Sequence, residues 1–371
     1  MWPISDEKTN SKAFTFGAVT RFALFFLLIT FSAQAQETSW DIEAAPMAGI
    51  LLPHHEDMLY LRAGHVVGME VSLTKRTDGS KDWHHRYFFP RWGVSVNAYD
   101  LGSPYMGNGY GGRIFFDLPM TKARNFFLKV SFGAGWIEKP FDLDDNPRNS
   151  AIGSHLNAAL GVEAHFNLNL GEKWAFRPGI GIHHYSNGAM QAPNSGINLA
   201  LIRMAFMHRF APRPLPELRT PTFSPTKGNF IIGVSGGMKE IKPIGGKKYG
   251  VLNIFGIYQK RVSGKSSFGG EVGVNYNESL QYANDDGDQD NPNSQDNYRP
   301  YIAGIYQLHF DPLSIRLSVG SYIAPRYTDD GLIFLRYHLV YDLKRIQFFL
   351  GLKSHYAKAD NGEIGMAYRL K

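Results

Sequence analysis

Apolar and polar residues alternate along most of this chain in long, regular runs. From residue 152 to 168 the even positions are almost all apolar, whereas the odd positions are polar, charged or small. The same period of two recurs at 91–98, 126–136, 268–276 and 345–353. Because neighbouring side chains of a β-strand point to opposite faces, this period predicts strands that each have one apolar face. The predicted fold class is therefore all-β.

A soluble β-sandwich and a transmembrane barrel both fit such alternation, since strands in each have one apolar face. Two observations favour the barrel. The runs approach the length of about 9 to 11 residues that a tilted transmembrane strand needs. Trp92, Trp136 and Tyr276 lie near the ends of apolar faces, where membrane barrels have girdles of aromatic residues. We therefore predict an antiparallel transmembrane β-barrel.

The strand-like segments fall into two groups on either side of a proline-rich stretch. About eight lie between Ala45 and Phe210 and about eight between Gly228 and Leu370, or roughly 16 strands in total. Residues 211–227 contain several prolines, which cannot join a hydrogen-bonded ladder. The predicted organisation is a first barrel region at 36–210, a linker at 211–227 and a second barrel region at 228–371. One large barrel and two tandem eight-stranded barrels both fit this pattern.

The N-terminal segment has the features of a secretory signal peptide, which we predict at 1–35. A leader with Lys8, Lys12 and Arg21 precedes an apolar run at 22–31 and a small-residue cleavage site at 33–35. The apolar run is too short for a membrane-spanning helix, which needs about 20 residues. We therefore expect an exported protein that resides in the outer membrane.

Composition narrows the functional classes. Charged residues make up 19% of the chain, below the usual ~25%, while glycine and aromatic residues are abundant. The absence of cysteine from the sequence excludes disulfides and thiolate metal sites. The net charge of +6 is not concentrated in a basic tract, so nucleic acid is not an expected partner, although scattered cations suit anionic lipid headgroups.

Residues that resemble metal ligands do not form a convincing metal site. The histidine pairs at 54–55, 84–85 and 183–184 are adjacent in sequence, and adjacent strand residues point to opposite faces. Asp286, Asp288 and Asp290 are spaced as in a calcium loop, but the twelfth position is Asn297 instead of glutamate. We expect no metal and no cofactor.

One predicted strand brings together residues that could carry out chemistry. His184 and Ser186 are two residues apart and in phase with the apolar residues Ile180 and Ile182, so they share the lipid-facing side of the strand. A serine hydroxyl beside an imidazole is a nucleophile next to its base. On that face the pair could act on an acyl chain that lies against the barrel.

The segment from His184 to Asn198 resembles the PagL-type lipid A 3-O-deacylases, which are also grouped as acyloxyacyl hydrolases. The shared pattern is H-x-S-N followed by P-N-x-G. It is represented here by six residues: His184, Ser186, Asn187, Pro193, Asn194 and Gly196. Weaker resemblance to longer members extends to 83–94 and 149–158. The resemblance covers about residues 45–210 and implies an eight-stranded outer-membrane barrel that removes an ester-linked acyl chain from lipid A, the lipid anchor of lipopolysaccharide.

The resemblance also implies residue roles. Ser186 corresponds to the nucleophile and His184 to the general base. Asn194, with backbone N–H groups near Gly188 and Ala189, corresponds to the oxyanion hole. Asn187 belongs to the same oxyanion and substrate segment.

The sequence departs from the short members of the family at the third catalytic position. Those members have a glutamate twelve residues after the serine, whereas this chain has Asn198. Asn198 is in phase with the apolar residues Ala200 and Ile202, so it can lie on the same face as His184. An amide oxygen can accept the imidazole N–H, as in Cys-His-Asn enzymes.

We therefore predict a Ser186-His184-Asn198 hydrolase that acts on lipid A in the outer membrane without a cofactor. Two other interpretations fit the pattern. In one, the protein is a non-catalytic barrel, either a channel or a structural protein, in which the motif only forms a turn. In the other, it is a soluble lipid-binding β protein.

Overall fold

The computed structural model describes residues 40–370, apart from 55, 213, 215, 225–226, 242, 283–296, 324, 326–329 and 357 and the side chain of Asp57. The predicted signal peptide at 1–35 and the acidic residues from Asp286 to Asp290 lie outside this part of the chain. In the described residues, no helix is long and apolar enough to cross a membrane.

The N-terminal half forms one closed antiparallel barrel. Its strands are β1 (Trp40–Leu51), β2 (Val66–Arg76), β3 (Arg91–Asp100), β4 (Asn108–Pro119), β5 (Phe126–Ile137), β6 (Leu156–Phe166), β7 (Leu168–Leu170), β8 (Trp174–Ser186) and β9 (Ile197–Arg209). β7 is a short strand that pairs only with β8. Pairing of β1 with β9, and of β6 with β8, closes the ring of eight long strands.

The C-terminal half forms a second closed barrel. Its strands are β10 (Asn229–Glu240), β11 (Lys248–Arg261), β12 (Ser266–Asn277), β13 (Tyr298–His309), β14 (Leu313–Tyr322), β15 (Ile333–Leu343), β16 (Ile346–His355) and β17 (Lys358–Arg369). The pairing of β10 with β17 closes it. The predicted all-β fold is thus confirmed, and of the two arrangements that the sequence left open, the chain adopts two eight-stranded barrels.

Among the residues that the structure describes, helices occur only in short connections. A five-residue helix, α1 (Asp82–Arg86), lies between β2 and β3. Single 3-10 segments at Glu56–Leu61 and Glu278–Tyr282 follow β1 and β12.

The alternation in sequence becomes an alternation between the outer wall and the lumen. In β6, Leu156 and Val162 point outward and are 64% and 51% exposed, whereas Asn157 and Glu163 face the lumen and are buried. Trp136, at the end of β5, is also exposed on the outer wall. This arrangement is the reverse of a soluble sandwich, whose apolar residues would be buried, and it provides the apolar outer belt of a membrane barrel.

Buried ion pairs fill both lumens. In the first barrel, Glu163 forms an ion pair with Arg203 at 2.7 Å, and its other carboxylate oxygen lies 3.1 Å from Nε2 of His183. In the second barrel, Arg336 pairs with Glu271 at 2.7 Å. Because a buried charge is stable only with a partner, these pairs allow polar side chains to pack the interior.

The two ends of the barrels differ in loop length. At one end several strands are joined by tight turns such as 310–312 and 344–345, although the longer connection 77–90 also lies there, and at the other end by long loops such as 138–155 and 187–196. Outer-membrane barrels have short turns on the periplasmic side and long loops outside. We therefore call these the periplasmic end and the outer end. β8 runs toward the outer end and terminates there.

An apolar cluster closes the lumen of the first barrel at its outer end. It includes Leu51, Met58, Ile152, Tyr185 and Ile197, all fully buried. Tyr185 is the last lumen-facing residue of β8, and Ile197 is the first residue of β9. The packing therefore holds the ends of these two strands from inside the barrel.

Candidate active site

The ends of β8 and β9 place three of the predicted site residues together. β8 ends at Ser186, β9 begins at Ile197, and the register pairs His184 directly with Asn198. Outward-facing residues opposite one another on adjacent antiparallel strands have Cβ atoms about 5 Å apart. The side chains at 184 and 198 are thus neighbours by register alone.

His184 and Asn198 form a short hydrogen bond. The Nδ1 atom of His184 lies 2.6 Å from the Oδ1 atom of Asn198. Because an amide oxygen can only accept, the proton is on Nδ1, and Nε2 is left as the acceptor nitrogen of the ring. This is the tautomer that a general base needs in order to take a proton at Nε2.

The sequence interpretation missed His54, which contacts the other side of Asn198. The Nδ2 atom of Asn198 lies 3.2 Å from Nδ1 of His54 and donates to it. This contact fixes the orientation of the amide, so that its oxygen faces His184. The Leu52 N–H donates to the Asn198 carbonyl at 2.8 Å, which ties the loop after β1 to the start of β9. Only the pairing of β1 with β9 could have indicated this neighbour.

Ser186 lies at the outer end of β8 and is 6% exposed. Its Oγ accepts the backbone N–H of Gly188 at 3.2 Å. In the described structure, no hydrogen bond joins Ser186 to His184, although both belong to the outward-facing set of β8. Catalytic hydrogen bonds are often long in unliganded enzymes and shorten when substrate binds.

The loop between β8 and β9 is held by its asparagines. Asn194 accepts the N–H of Asn187 at 2.9 Å through Oδ1. The Asn187 amide donates to Oγ of Ser154 at 2.9 Å and to the Gln191 carbonyl at 2.7 Å. The donors of Asn187 are therefore engaged, within the loop and with Ser154 of the β5–β6 loop. The Nδ2 atom of Asn194, by contrast, has no hydrogen-bond acceptor among the described residues.

Two consecutive residues of this loop have left-handed backbone conformations. Gly188 and Ala189 both have a φ of 63°, which is unfavourable for a residue with a Cβ, such as alanine. The Gly188 N–H points to Ser186, and the Ala189 N–H has no acceptor in the described part of the chain. The loop thus has one backbone donor at the serine and, within the described structure, an unpaired donor on the next residue, and oxyanion holes are commonly built from such backbone donors.

The long loop between β5 and β6 supports the site loop from behind. The Gly196 N–H donates to the Ala151 carbonyl at 2.8 Å. At Gly153 a Cβ would lie 2.3 Å from the carbonyl oxygen of Ala192, so only glycine allows this approach. The upstream segment 149–158, where the sequence showed weaker family resemblance, is therefore part of the same structural unit as the site.

A cavity of about 500 Å³ lies away from these residues, at the periplasmic mouth of the first barrel. Four arginines line part of it: Arg76, Arg91, Arg124 and Arg209. The residues His184, Ser186 and Asn198 instead lie at the opposite, outer end of that barrel, where β8 ends and β9 begins.

Three potential metal ligands meet inside the second barrel. Atoms of Asp330, His355 and Asp360 lie within 4.8 Å of one another. Both carboxylates already have cationic partners, since Arg299 lies 2.8 Å from Asp330 and Lys353 lies 3.0 Å from Asp360. The charge of the carboxylates is therefore balanced by protein side chains, and the group behaves as a lumen ion-pair network.

Two family models match the chain, one on each barrel. Residues 67–207 match lipid A 3-O-deacylase (PagL), and residues 228–371 match the acyloxyacyl hydrolase C-terminal domain. The chain belongs to the PagL-type acyloxyacyl hydrolase family. The predicted family is thus confirmed, and the second barrel, for which the short members have no counterpart, has a family model of its own. The family consists of outer-membrane hydrolases that act on lipid A.

Similar solved structures include porin mutants from Rhodopseudomonas blastica. Two of these cover 90% of this chain and 99% of their own length, with 8% identity and a TM-score of 0.19. A TM-score of this size does not establish a shared fold. No curated protein sequence matches the chain.

Proposed function

We propose that this protein is an outer-membrane esterase that removes an ester-linked acyl chain from lipid A, with Ser186 as nucleophile, His184 as general base and Asn198 as the residue that orients the histidine. The observation that carries this proposal is the 2.6 Å contact from His184 Nδ1 to Asn198 Oδ1. It leaves Nε2 as the basic nitrogen on the strand face that also carries Ser186.

The reaction begins when Nε2 of His184 takes the hydroxyl proton of Ser186, and Oγ attacks the ester carbonyl carbon. The carbonyl oxygen becomes negatively charged in the tetrahedral intermediate. The N–H groups of Gly188 and Ala189 and the amide of Asn194 donate to this oxygen. When the intermediate collapses, the lipid A hydroxyl leaves with the proton from Nε2, and the acyl chain stays on Ser186.

Water completes the cycle. His184 removes a proton from a water molecule, which attacks the acyl-enzyme carbonyl, and the fatty acid is released as the proton returns to Ser186. During both attacks the imidazole is positively charged. The neutral amide of Asn198 orients this imidazolium but stabilises it less than a carboxylate would.

The location of the site suits this substrate. Ser186 is at the outer end of β8, on the outward-facing side of the strand, where an acyl chain in the outer leaflet can reach it. The filled lumens argue against the alternative of a channel. Small barrels of eight strands have an interior just wide enough for side chains, and here buried ion pairs such as Arg203 with Glu163 occupy it.

The proposal is tested by incubating the purified protein with lipid A in detergent micelles and measuring the products by mass spectrometry. We expect the wild type to remove one acyl chain and Ser186→Ala to remove none. Ser321→Ala is the matched control, since Ser321 also follows an outward-facing apolar series at the outer end of a strand, β14, in the second barrel. Equal product from Ser186→Ala and the wild type would refute the proposed nucleophile.

A further inference from the structure

The second barrel contacts the site loop directly. The Glu240 N–H, at the outer end of β10, donates to the Ala189 carbonyl at 2.9 Å, and the Gly362 N–H of β17 donates to the Gly188 carbonyl at 3.2 Å. Both acceptors belong to the two residues whose N–H groups are proposed to form the oxyanion hole. The second barrel therefore helps to hold the backbone of the proposed oxyanion hole.

This contact is close because small residues meet at it. A Cβ on Gly188 would lie 3.2 Å from the Gly362 nitrogen and 3.7 Å from a methyl group of Leu352. On the neighbouring strand β10, a Cβ on Gly237 would lie 2.1 Å from the Gly362 carbonyl oxygen. The site loop thus lies against the seam where β16, β17 and β10 run side by side.

A shallow apolar depression of about 320 Å³ follows this seam on the outer wall of the second barrel. Its lining comes from β10, β16 and β17: Val234, Ser235, Gly236, Phe348, Ile364, Gly365 and Met366. Ile364 is two residues from Gly362 along β17, so the depression begins roughly 7 Å from the contact with the site loop. Gly236 and Gly365 have no side chains, so they leave space between the larger apolar residues of the lining.

We propose that this depression is the subsite for the acyl chain that is cleaved, so that the active site is built from both barrels. The inference rests on the proposed esterase function, because it assigns the substrate chain of that same site. The volume of the depression is at the lower limit of ordinary ligand pockets, which is about 300 Å³. Its apolar lining fits a hydrocarbon chain and offers little to a headgroup.

The benefit of such a subsite is orientation. Lipid tails are as apolar as the barrel wall, so a chain gains little hydrophobic energy by leaving its neighbours for the protein. A depression that follows the seam holds the chain in one direction, however, and places the ester carbonyl at a fixed distance from Ser186. Fixed geometry of this kind raises the rate of the chemical step.

The test fills the depression and compares long and short chains. Gly236 faces outward, and a Cβ there would meet only the Val251 carbonyl at 3.7 Å, so Gly236→Leu adds bulk without a backbone clash. Gly304 faces outward on β13, three strands away, and a Cβ there meets no atom within 4 Å. Gly304→Leu is therefore the matched control.

The substrates are p-nitrophenyl palmitate and p-nitrophenyl butyrate in the same micelles. We expect Gly236→Leu to lower kcat/KM for the palmitate at least about tenfold and to leave the butyrate within about twofold. Gly304→Leu should leave kcat/KM unchanged for both esters. Ile364→Trp fills the same depression from β17 without altering a glycine and should reproduce the effect, which guards against a folding defect in one variant.

The outcomes separate the two proposals. An active wild type with the same palmitate-to-butyrate ratio in both depression variants would overturn the acyl-chain subsite alone. A wild type that hydrolyses neither these esters nor lipid A would overturn the esterase function and the subsite with it.

Discussion

Each barrel contains a serine near a histidine, but the two pairs have opposite settings. In the second barrel, Ser267 and His309 form a 2.7 Å hydrogen bond between Oγ and Nε2, and both are buried in the lumen. In the first barrel, Ser186 and His184 belong to the outward-facing set of β8 and are not yet hydrogen-bonded to each other. A short serine–histidine distance is thus a poor indicator of a hydrolytic site in this fold.

The surroundings of the histidine distinguish the two pairs better. Nδ1 of His184 lies 2.6 Å from the amide oxygen of Asn198. The turn that follows Ser186 includes the proposed backbone donors of Gly188 and Ala189. Nδ1 of His309 faces only the hydroxyl of Ser314, at 3.4 Å, and this pair has no route to a lipid. His184 and Asn198 are thus polar residues that interrupt an otherwise apolar outward-facing series on β8 and β9.

The largest expected effect distinguishes the two histidines. His184→Ala removes the proposed general base and should lower lipid A deacylation at least about a thousandfold, because triad members act as a unit. His309→Ala removes the lumen histidine and should leave the rate of correctly folded protein unchanged. Both rates are measured on purified, folded protein by product mass spectrometry. A comparable loss in His309→Ala would show that the lumen pair carries the chemistry.

The outer walls of the two barrels should respond alike to charge. Leu160 on β6 and Ile302 on β13 are both exposed on apolar faces, and we expect Leu160→Arg and Ile302→Arg each to cost ~2 to 4 kcal/mol of unfolding free energy. Denaturant titration in lipid vesicles measures this cost. If Leu160→Arg proved neutral, the assigned lipid-facing side of β6 would be wrong.

The next effect concerns the departure from the family pattern. Asn198→Ala removes the acceptor for the His184 N–H and should lower kcat about 10- to 1000-fold, which corresponds to ~1.4 to 4 kcal/mol in the barrier. Asn198→Glu should retain or raise the rate, because a carboxylate stabilises the imidazolium. Unchanged turnover in Asn198→Ala would mean that another group orients the histidine.

The smallest effect concerns His54, whose Nδ1 atom accepts from the amide of Asn198 on the side away from His184. His54→Ala should lower kcat/KM about fivefold, the equivalent of ~1 kcal/mol for one hydrogen bond. Because His54 acts through Asn198, the double variant His54→Ala/Asn198→Ala should be no slower than Asn198→Ala alone. Additive losses in steady-state kinetics would assign His54 a role of its own.

Local pattern was sufficient to predict the strands, their outward-facing residues and the pairing of His184 with Asn198. Each of these depends only on the period of two and on a short β8–β9 connection. The number of barrels could not be predicted, because closure depends on pairing between strands far apart in sequence. β1 pairs with β9, and β10 pairs with β17.

The same limitation explains the neighbours that the sequence did not indicate. His54 reaches Asn198 through the β1–β9 pairing, and Gly362 reaches Gly188 across two separate barrels. Asn187 was placed in the oxyanion and substrate segment because of its position in the motif. Its amide and N–H are instead engaged with Ser154, Gln191 and Asn194, a detail that depends on how the loop folds.

The most direct measurement is covalent capture of the nucleophile. A fluorophosphonate reacts with a serine that is activated by a neighbouring base and remains attached to it. The purified protein is incubated with such a probe and analysed by peptide mass spectrometry. We expect one adduct, on Ser186, and none on Ser267. The His184→Ala variant should not be labelled. An adduct on another serine, or lipid A deacylation by a protein whose Ser186 is never labelled, would contradict the proposed mechanism.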